Sequence, residues 1–130
     1  MRSSAAIAAV AGAIALAGCG TATEDLMAID VTGGRIPTTE RIRVTNDGRA
    51  SCGGPLRPIP SELLLDAREV KRDLRPLARR GARFAGPGGE RHYLFRSFDG
   101  TVQWTESARR PALGRATALT LRLERALCRA

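Results

Sequence analysis

A single stretch of sequence decides the fold: residues 92–105, HYLFRSFDGTVQWT. Two runs rich in β-branched and aromatic residues flank an Asp-Gly pair at 99–100, which is a strong signal for a tight hairpin turn. Because side chains alternate along a strand, Tyr93 and Phe95 share one face of the first run and Phe98 falls on the other. Apolar side chains on both faces predict that this run is a central strand of a sheet.

Three further strands are predicted before this hairpin. They are Met27–Val31, Arg41–Thr45 and Arg49–Cys52. The second of them alternates apolar with polar residues, which is typical of a strand that buries one face only. Asn46-Asp47-Gly48 follows it and favours a tight turn, so the second and third strands form another predicted hairpin.

Two amphipathic helices complete the predicted fold. The first begins at Pro60, because the missing N–H of proline costs nothing in the first helical turn. Its apolar residues recur at helical spacing: Leu63, Ala67, Val70, Leu74 and Leu77. Pro76 predicts a kink or an end near Arg75, since proline removes a helical hydrogen bond. The second helix opens at Pro111 and is apolar along one face through Leu127.

The order of these elements is β-β-β-α-β-β-α. Strands outnumber helices, and hairpin connections imply antiparallel pairing. We therefore predict an α+β domain: a small antiparallel β-sheet with two helices packed on one face.

The N-terminal residues match an export signal that ends in a lipobox. Arg2 supplies a positive start, residues 5–16 are uncharged and apolar, and Leu16-Ala17-Gly18-Cys19 closes the pattern. The apolar run is too short to span a bilayer stably. In bacterial lipoproteins the cysteine of such a motif is alkylated with diacylglycerol, and the chain is cut just before it. The alternative is a secretory signal cleaved elsewhere, with Cys19 an ordinary residue.

The lipobox predicts three segments and one location. Residues 1–18 form the lipoprotein signal peptide, residues 19–26 the lipidated terminus with a short spacer, and residues 27–130 a single α+β domain. Diacylglycerol on Cys19 anchors this domain to the extracytoplasmic face of the cell membrane. We expect the anchored protein to be a monomer.

Two cysteines, Cys52 and Cys128, remain after Cys19 is consumed by lipid. An even pair in an exported chain is most simply a disulfide, and a small domain benefits from such a staple. The bridge requires the two Cα atoms to lie within about 7 Å of each other. The alternative is a pair of unbonded buried thiols.

The chain carries a formal net charge of +8, and Lys71 is its single lysine. Four arginines recur at helical spacing on the first helix: Arg68, Arg72, Arg75 and Arg79. This stripe is predicted to contact an anionic surface such as lipid headgroups. The alternative is a solvated helix face shaped by codon usage. Nucleic acid is a usual partner for so basic a chain, but the export signal and lipid anchor argue against it.

The available side chains give little support to enzymatic chemistry. His92 is the single histidine and lies in mid-strand beside arginines, and the Gly-rich residues 86–89 lack the Lys and Ser/Thr of a phosphate loop. The helical carboxylates Asp66, Glu69 and Asp73 lie among arginines, which predicts surface salt bridges. The cysteines and the histidine show no metal-ligand spacing. We predict no catalytic residue, no metal site and no cofactor.

The mature chain resembles a group of small bacterial proteins that includes emfourin, an inhibitor of thermolysin-like metallopeptidases. The resemblance lies in five segments, in order: residues 29–34 (IDVTGG), 42–49 (IRVTNDGR), 59–63 (IPSEL), 93–100 and 111–113. These are positions that carry the fold rather than inhibitory contacts. The resemblance implies an α+β fold and an extracellular metallopeptidase as partner.

Together these observations predict a non-enzymatic protein-binding module, with a sheet face or edge that holds an extended peptide. The expected partner is an extracellular peptidase or another envelope protein. The alternative is a structural lipoprotein that its arginine-rich helix faces hold on anionic lipid or cell-wall polymer.

Overall fold

Seven strands and two helices occur within residues 24–129, the part of the chain that the computed structural model describes. In chain order they are β1 (Asp25–Gly33), β2 (Thr38–Thr45), β3 (Arg49–Cys52), β4 (Arg57–Pro58), α1 (Ser61–Arg79), β5 (Arg83–Phe84), β6 (Arg91–Ser97), β7 (Gly100–Thr105) and α2 (Pro111–Leu127). The α+β class and the order of the longer elements are confirmed. The strands β4 and β5 are not predicted from the sequence, because two residues are too few to show a period.

The hairpin of β6 and β7 forms in the predicted place, with Tyr93 opposite Trp104 and Phe95 opposite Val102. The strand β6 is central, since it lies between β1 and β7. Phe98, however, lies in the turn after β6 and is 97% exposed, so it does not contribute to a second apolar face.

The sheet has the strand order β4-β3-β2-β1-β6-β7-β5. Neighbouring strands are antiparallel, with one correction to the predicted sheet: β5 pairs with β7 in parallel through Arg83 and Phe84. The chain leaves α1 through Gly81, which has a φ of 59°, and this turn brings β5 alongside β7. The sheet of the described residues is therefore mixed.

Both helices pack on one face of the sheet, as predicted. That face buries alternate strand residues: Met27, Ile29, Val31, Ile42, Val44, Tyr93, Phe95, Val102 and Trp104. The helices cover them with Leu63, Ala67, Val70, Leu74, Ala78, Leu113, Ala116, Leu119 and Leu123. Tyr93 and Trp104 stack with ring centroids 5.3 Å apart, and the Trp104 indole donates a hydrogen bond to Thr117 Oγ1 at 2.9 Å. The single tryptophan is thus both packed and hydrogen-bonded.

Helix α1 continues past Pro76 to Arg79, so the predicted end near Arg75 is wrong. Pro76 lies in the last turn on the exposed side, where its ring affects one hydrogen bond of the helix. The buried residues Leu74 and Ala78 flank it and keep the last turn packed on the core.

The helices run antiparallel and are joined by ion pairs on their outer side. Asp66 accepts from Arg122, and Asp73 pairs with Arg115 at 3.0 Å. Glu69 pairs with Arg72 of its own helix at 3.7 Å. The predicted salt-bridged role of the helical carboxylates is confirmed, although each exposed pair contributes at most about 1 kcal/mol.

Candidate functional site

The start of β1 and two hairpin turns lie together at one edge of the domain. The backbone N–H of Asn46 donates to the Glu24 carbonyl at 3.0 Å, which places the β2–β3 turn beside the start of β1. On the other side of β1, Ala28 lies opposite Arg96, so the β6–β7 turn follows within a few residues. We call this edge, formed by residues 24–25, 46–48 and 98–100, the tether edge.

Helix α1 runs along the tether edge from one turn to the other. The Arg68 guanidinium donates to the Asn46 carbonyl at 3.3 Å, and that of Arg75 pairs with Asp99 at 3.3 Å. Seven residues of helix cover about 10 Å. Asn46 follows β2 and Asp99 follows β6, and these two strands are two spacings of about 4.8 Å apart, with β1 between them. The agreement explains why helical spacing brings arginines to both turns.

The four predicted arginines Arg68, Arg72, Arg75 and Arg79 are exposed and follow the tether edge. Arg72 and Arg75 are compensated by Glu69 and Asp99. Among residues 24–129, Arg68 and Arg79 form no ion pair with a carboxylate. The stripe therefore carries less uncompensated charge than its sequence suggests, and its contact with an anionic surface stays a prediction.

Phe98 is the feature of this edge that sequence reasoning missed as a functional candidate. It is 97% exposed, and it immediately precedes Asp99-Gly100 at the tip of the hairpin. The position of Phe98 directly before the Asp-Gly turn is visible in the sequence, and side chains at turns are commonly exposed to solvent. The adjoining Gly100 has a φ of 133°, and a Cβ there would lie 2.2 Å from the Ala78 carbonyl oxygen. The tip is thus held closely against α1.

Cys52 and Cys128 form the predicted disulfide. The sulfurs are 2.08 Å apart and the Cα atoms 5.3 Å, within the required limit. Cys52 ends β3 and Cys128 follows the last turn of α2, so the bridge ties a strand near the sheet edge to the second helix. The Arg57 guanidinium also donates to the Leu127 carbonyl at 2.9 Å and closes the same helix end.

A carboxyl pair lies next to the disulfide. Burial first, and then a hydrogen bond and charge repulsion with Glu124, raise the pKa of Glu40, while Arg91 and Arg129 oppose this shift. Arg91 donates to the Glu124 carboxylate and forms an ion pair with it. The Oε2 atom of Glu40 is buried and makes no hydrogen bond within residues 24–129.

The Glu40 carboxylate and the sulfurs of Cys52 and Cys128 lie within 4.8 Å of one another. Metal coordination by cysteine requires thiolates, and these sulfurs are bonded to each other. The cluster is therefore a structural junction in the oxidised protein rather than a metal centre.

A shallow groove of about 400 Å³ lies at the far end of the sheet, beside loop 85–90. The Glu90 carboxylate accepts from Ser107 Oγ at 2.8 Å, and hydrogen bonds from Ser107 and Thr105 lower the pKa of Glu90. His92 also lines the groove, but within residues 24–129 its ring makes no hydrogen bond to a hydroxyl or carboxylate. The contacts of Glu90 with Ser107 hold loop 85–90 against the segment that follows β7.

The end of the sheet opposite the tether edge carries the longest loops. Loop 34–37 joins β1 to β2, and loop 85–90 leads into β6. Ile36 is 81% exposed in the first of them. A second groove, of about 360 Å³, lies between this loop, Glu40, Arg91 and the end of α2. We call the two loops and their grooves the distal edge.

The lateral edges of the sheet do not favour the predicted binding of an extended peptide. The edge strands β4 and β5 have two residues each, and Pro58 in β4 lacks an N–H. The open face of the sheet is polar, with Asp30 paired to both Arg41 and Arg96. A peptide strand would find few backbone partners at either side, which leaves the loops as the better binding surface.

The predicted signal peptide, Cys19 and the following residues to 23 lie outside the described residues. Neither helix within residues 24–129 has the length and apolar character needed to cross a bilayer.

The comparisons with known proteins add no family. No protein-family model matches the chain, and no curated protein and no solved structure matches it. The resemblance to the emfourin group and the absence of catalysis stay predictions.

Proposed function

We propose that this chain is an extracytoplasmic lipoprotein, anchored to the cell membrane through diacylglycerol on Cys19, whose domain is a non-enzymatic protein-binding module. The observation that carries the proposal is the short distance in sequence between Cys19, at the end of the lipobox, and β1, which begins at Asp25. A lipid on Cys19 holds the tether edge near the bilayer, because five residues extend at most about 18 Å.

This attachment turns the distal edge towards the space outside the membrane. Its loops expose Ile36 and enclose two shallow grooves, one lined by the 85–90 loop and one by Arg91 and Glu124. Loops on a rigid sheet are common binding surfaces, since the scaffold fixes their ends while their sequence varies. The partner that we propose is a protein of the cell envelope or its surroundings.

A secreted thermolysin-like metallopeptidase is the partner that the resemblance to emfourin suggests. Thermolysin itself is a suitable probe. With the protein in molar excess, we expect hydrolysis of a small fluorogenic peptide to fall, and Ile36→Asp to restore it because this change places a charge on the distal edge. Leu65→Asp is the matched control, since Leu65 is another exposed aliphatic residue but lies on α1. Unchanged hydrolysis, or cleavage of the protein itself, contradicts the inhibitor hypothesis.

A structural lipoprotein held on anionic lipid or cell-wall polymer is the second candidate. The observation in its favour is the position of Arg68 and Arg79, which form no ion pair within residues 24–129 and lie on the edge nearest the proposed anchor. Each basic residue near an anionic surface contributes about 1 kcal/mol, and screening confines this to about 8 Å at physiological salt. Sedimentation with isolated cell-wall polymer at low and high salt separates this candidate from the binding module.

A further inference from the structure

Phe98 is too exposed for a structural role within the domain. It is 97% exposed at the tip of the β6–β7 turn, whereas the aromatic side chains of the same hairpin, Tyr93, Phe95 and Trp104, are at most 1% exposed. An aromatic ring projecting from a tip, with basic residues around it, has the chemistry of a side chain that enters the interfacial layer of a membrane.

The position of Phe98 relative to the proposed anchor indicates that a membrane surface would face it. The described chain begins at the tether edge with Glu24, five residues beyond Cys19. Phe98 directly follows β6, and it lies on that same edge because β6 pairs with β1. A chain fixed to lipid at Cys19 therefore brings this ring, rather than the distal edge, towards the headgroups.

The charges around the ring suit an anionic surface. Three of the four carboxylates of the edge are paired: Asp25 with Arg43, Asp47 with Arg49 at 3.0 Å, and Asp99 with Arg75 at 3.3 Å. The fourth, Glu24, is exposed and forms no ion pair within the described residues. Two arginines of α1 beside these turns, at positions 68 and 79, form no ion pair with a carboxylate within the described residues. These two arginines outnumber the unpaired Glu24, so the surface beside the exposed ring is net cationic.

We propose that the tether edge docks on an anionic bilayer and that Phe98 inserts into the interface. This inference rests on the proposed lipidation of Cys19 and adds a second, orienting contact to that anchor. One acyl-anchored point leaves a domain free to rotate, and an inserted ring with adjacent cations fixes its orientation. The distal edge is then presented outward.

Fluorescence quenching by brominated lipids tests the docking in the full lipidated chain. The protein is reconstituted in vesicles of phosphatidylglycerol and phosphatidylcholine whose acyl chains are brominated near the headgroup. Phe98→Trp is compared with Ile36→Trp, which places the same ring on an exposed residue of the distal edge. Wild type gives the background of Trp104, which is fully buried. Near-ultraviolet circular dichroism confirms that both variants keep the fold.

We expect brominated vesicles to quench the added tryptophan at position 98 and to leave that at position 36 unchanged. Replacing Arg68 and Arg79 by Gln should weaken the quenching in anionic vesicles at low salt. Quenching at neither position, or equally at both, overturns the docking. Quenching that the arginine replacements leave unchanged overturns the anionic preference.

Mass spectrometry of the same sample separates this failure from failure of the proposed function. If Cys19 carries diacylglycerol and position 98 is not quenched, the docking alone is wrong. If Cys19 is unmodified, the lipoprotein proposal is wrong and the docking falls with it.

Discussion

Removal of the Cys52–Cys128 bridge should cost this domain much of its stability. The bridge joins residues separated by 76 positions. In the chain-entropy model a closed loop of this length lowers the entropy of the unfolded chain by about 15 cal/mol/K, which is about 4.5 kcal/mol at 25 °C. A domain of this kind is stable by about 5–15 kcal/mol in total, so the loss is a large fraction.

Contacts near the bridge in the folded protein indicate that the measured loss of stability falls at or below this figure. The hydrogen bond from Arg57 to the Leu127 carbonyl still holds the end of α2 when the bridge is absent. This contact acts in the folded state, whereas the bridge acts mainly by restricting the unfolded chain. We therefore expect the double replacement by alanine to lower the free energy of unfolding by about 3–4.5 kcal/mol.

Urea unfolding followed by Trp104 fluorescence measures this directly, because the ring is fully buried and is the single tryptophan of the chain. The variant Cys52→Ala/Cys128→Ala should show a lower midpoint and a steeper dependence on urea, since the unbridged unfolded chain exposes more surface. Wild type treated with reductant should behave in the same way. A loss below about 1 kcal/mol with an unchanged slope refutes the argument that the bridge restricts the unfolded chain.

Two further predictions concern backbone shape and pH. Gly100→Ala should destabilise the domain by about 2 kcal/mol or more in urea unfolding, because the φ of Gly100 is positive and the new methyl group meets a backbone carbonyl of α1. The control Gly114→Ala has open space around it and should stabilise the domain by about 0.5–1 kcal/mol. Equal effects of the two substitutions would contradict this reasoning. The raised pKa of Glu40 means that its contribution to stability is present below the unfolded pKa and is lost as pH rises through the folded one. Glu40→Gln should therefore flatten the decline in stability above about pH 4.5, and a variant that declines like wild type would contradict the assignment.

Local patterns in the sequence were sufficient for most of the fold. Alternation along β6 and β7 with an Asp-Gly turn fixed the hairpin, and the apolar stripe of α1 fixed the face that it buries. The disulfide followed from counting, since two cysteines remained after Cys19. Each of these inferences uses residues that are close in sequence or few in number.

The contacts that sequence reasoning missed depend on long-range packing. The parallel pairing of β5 with β7 involves two residues of β5, which are too few to show an alternation of apolar and polar side chains. Pro76 looked like a helix end, but buried neighbours on both sides keep the turn in place. The pair of Glu40 with Glu124, and the position of Phe98 beside the start of β1, arise only when distant strands and helices meet. No local pattern carries that information.

The measurement that tests the central claim most directly is mass spectrometry of the N-terminus of membrane-extracted protein. We predict a mature chain that begins at Cys19 with a diacylglyceryl group on its sulfur, and we predict that Cys19→Ala keeps residues 1–18. A chain that retains Met1, or one cleaved elsewhere with an unmodified Cys19, would contradict the account.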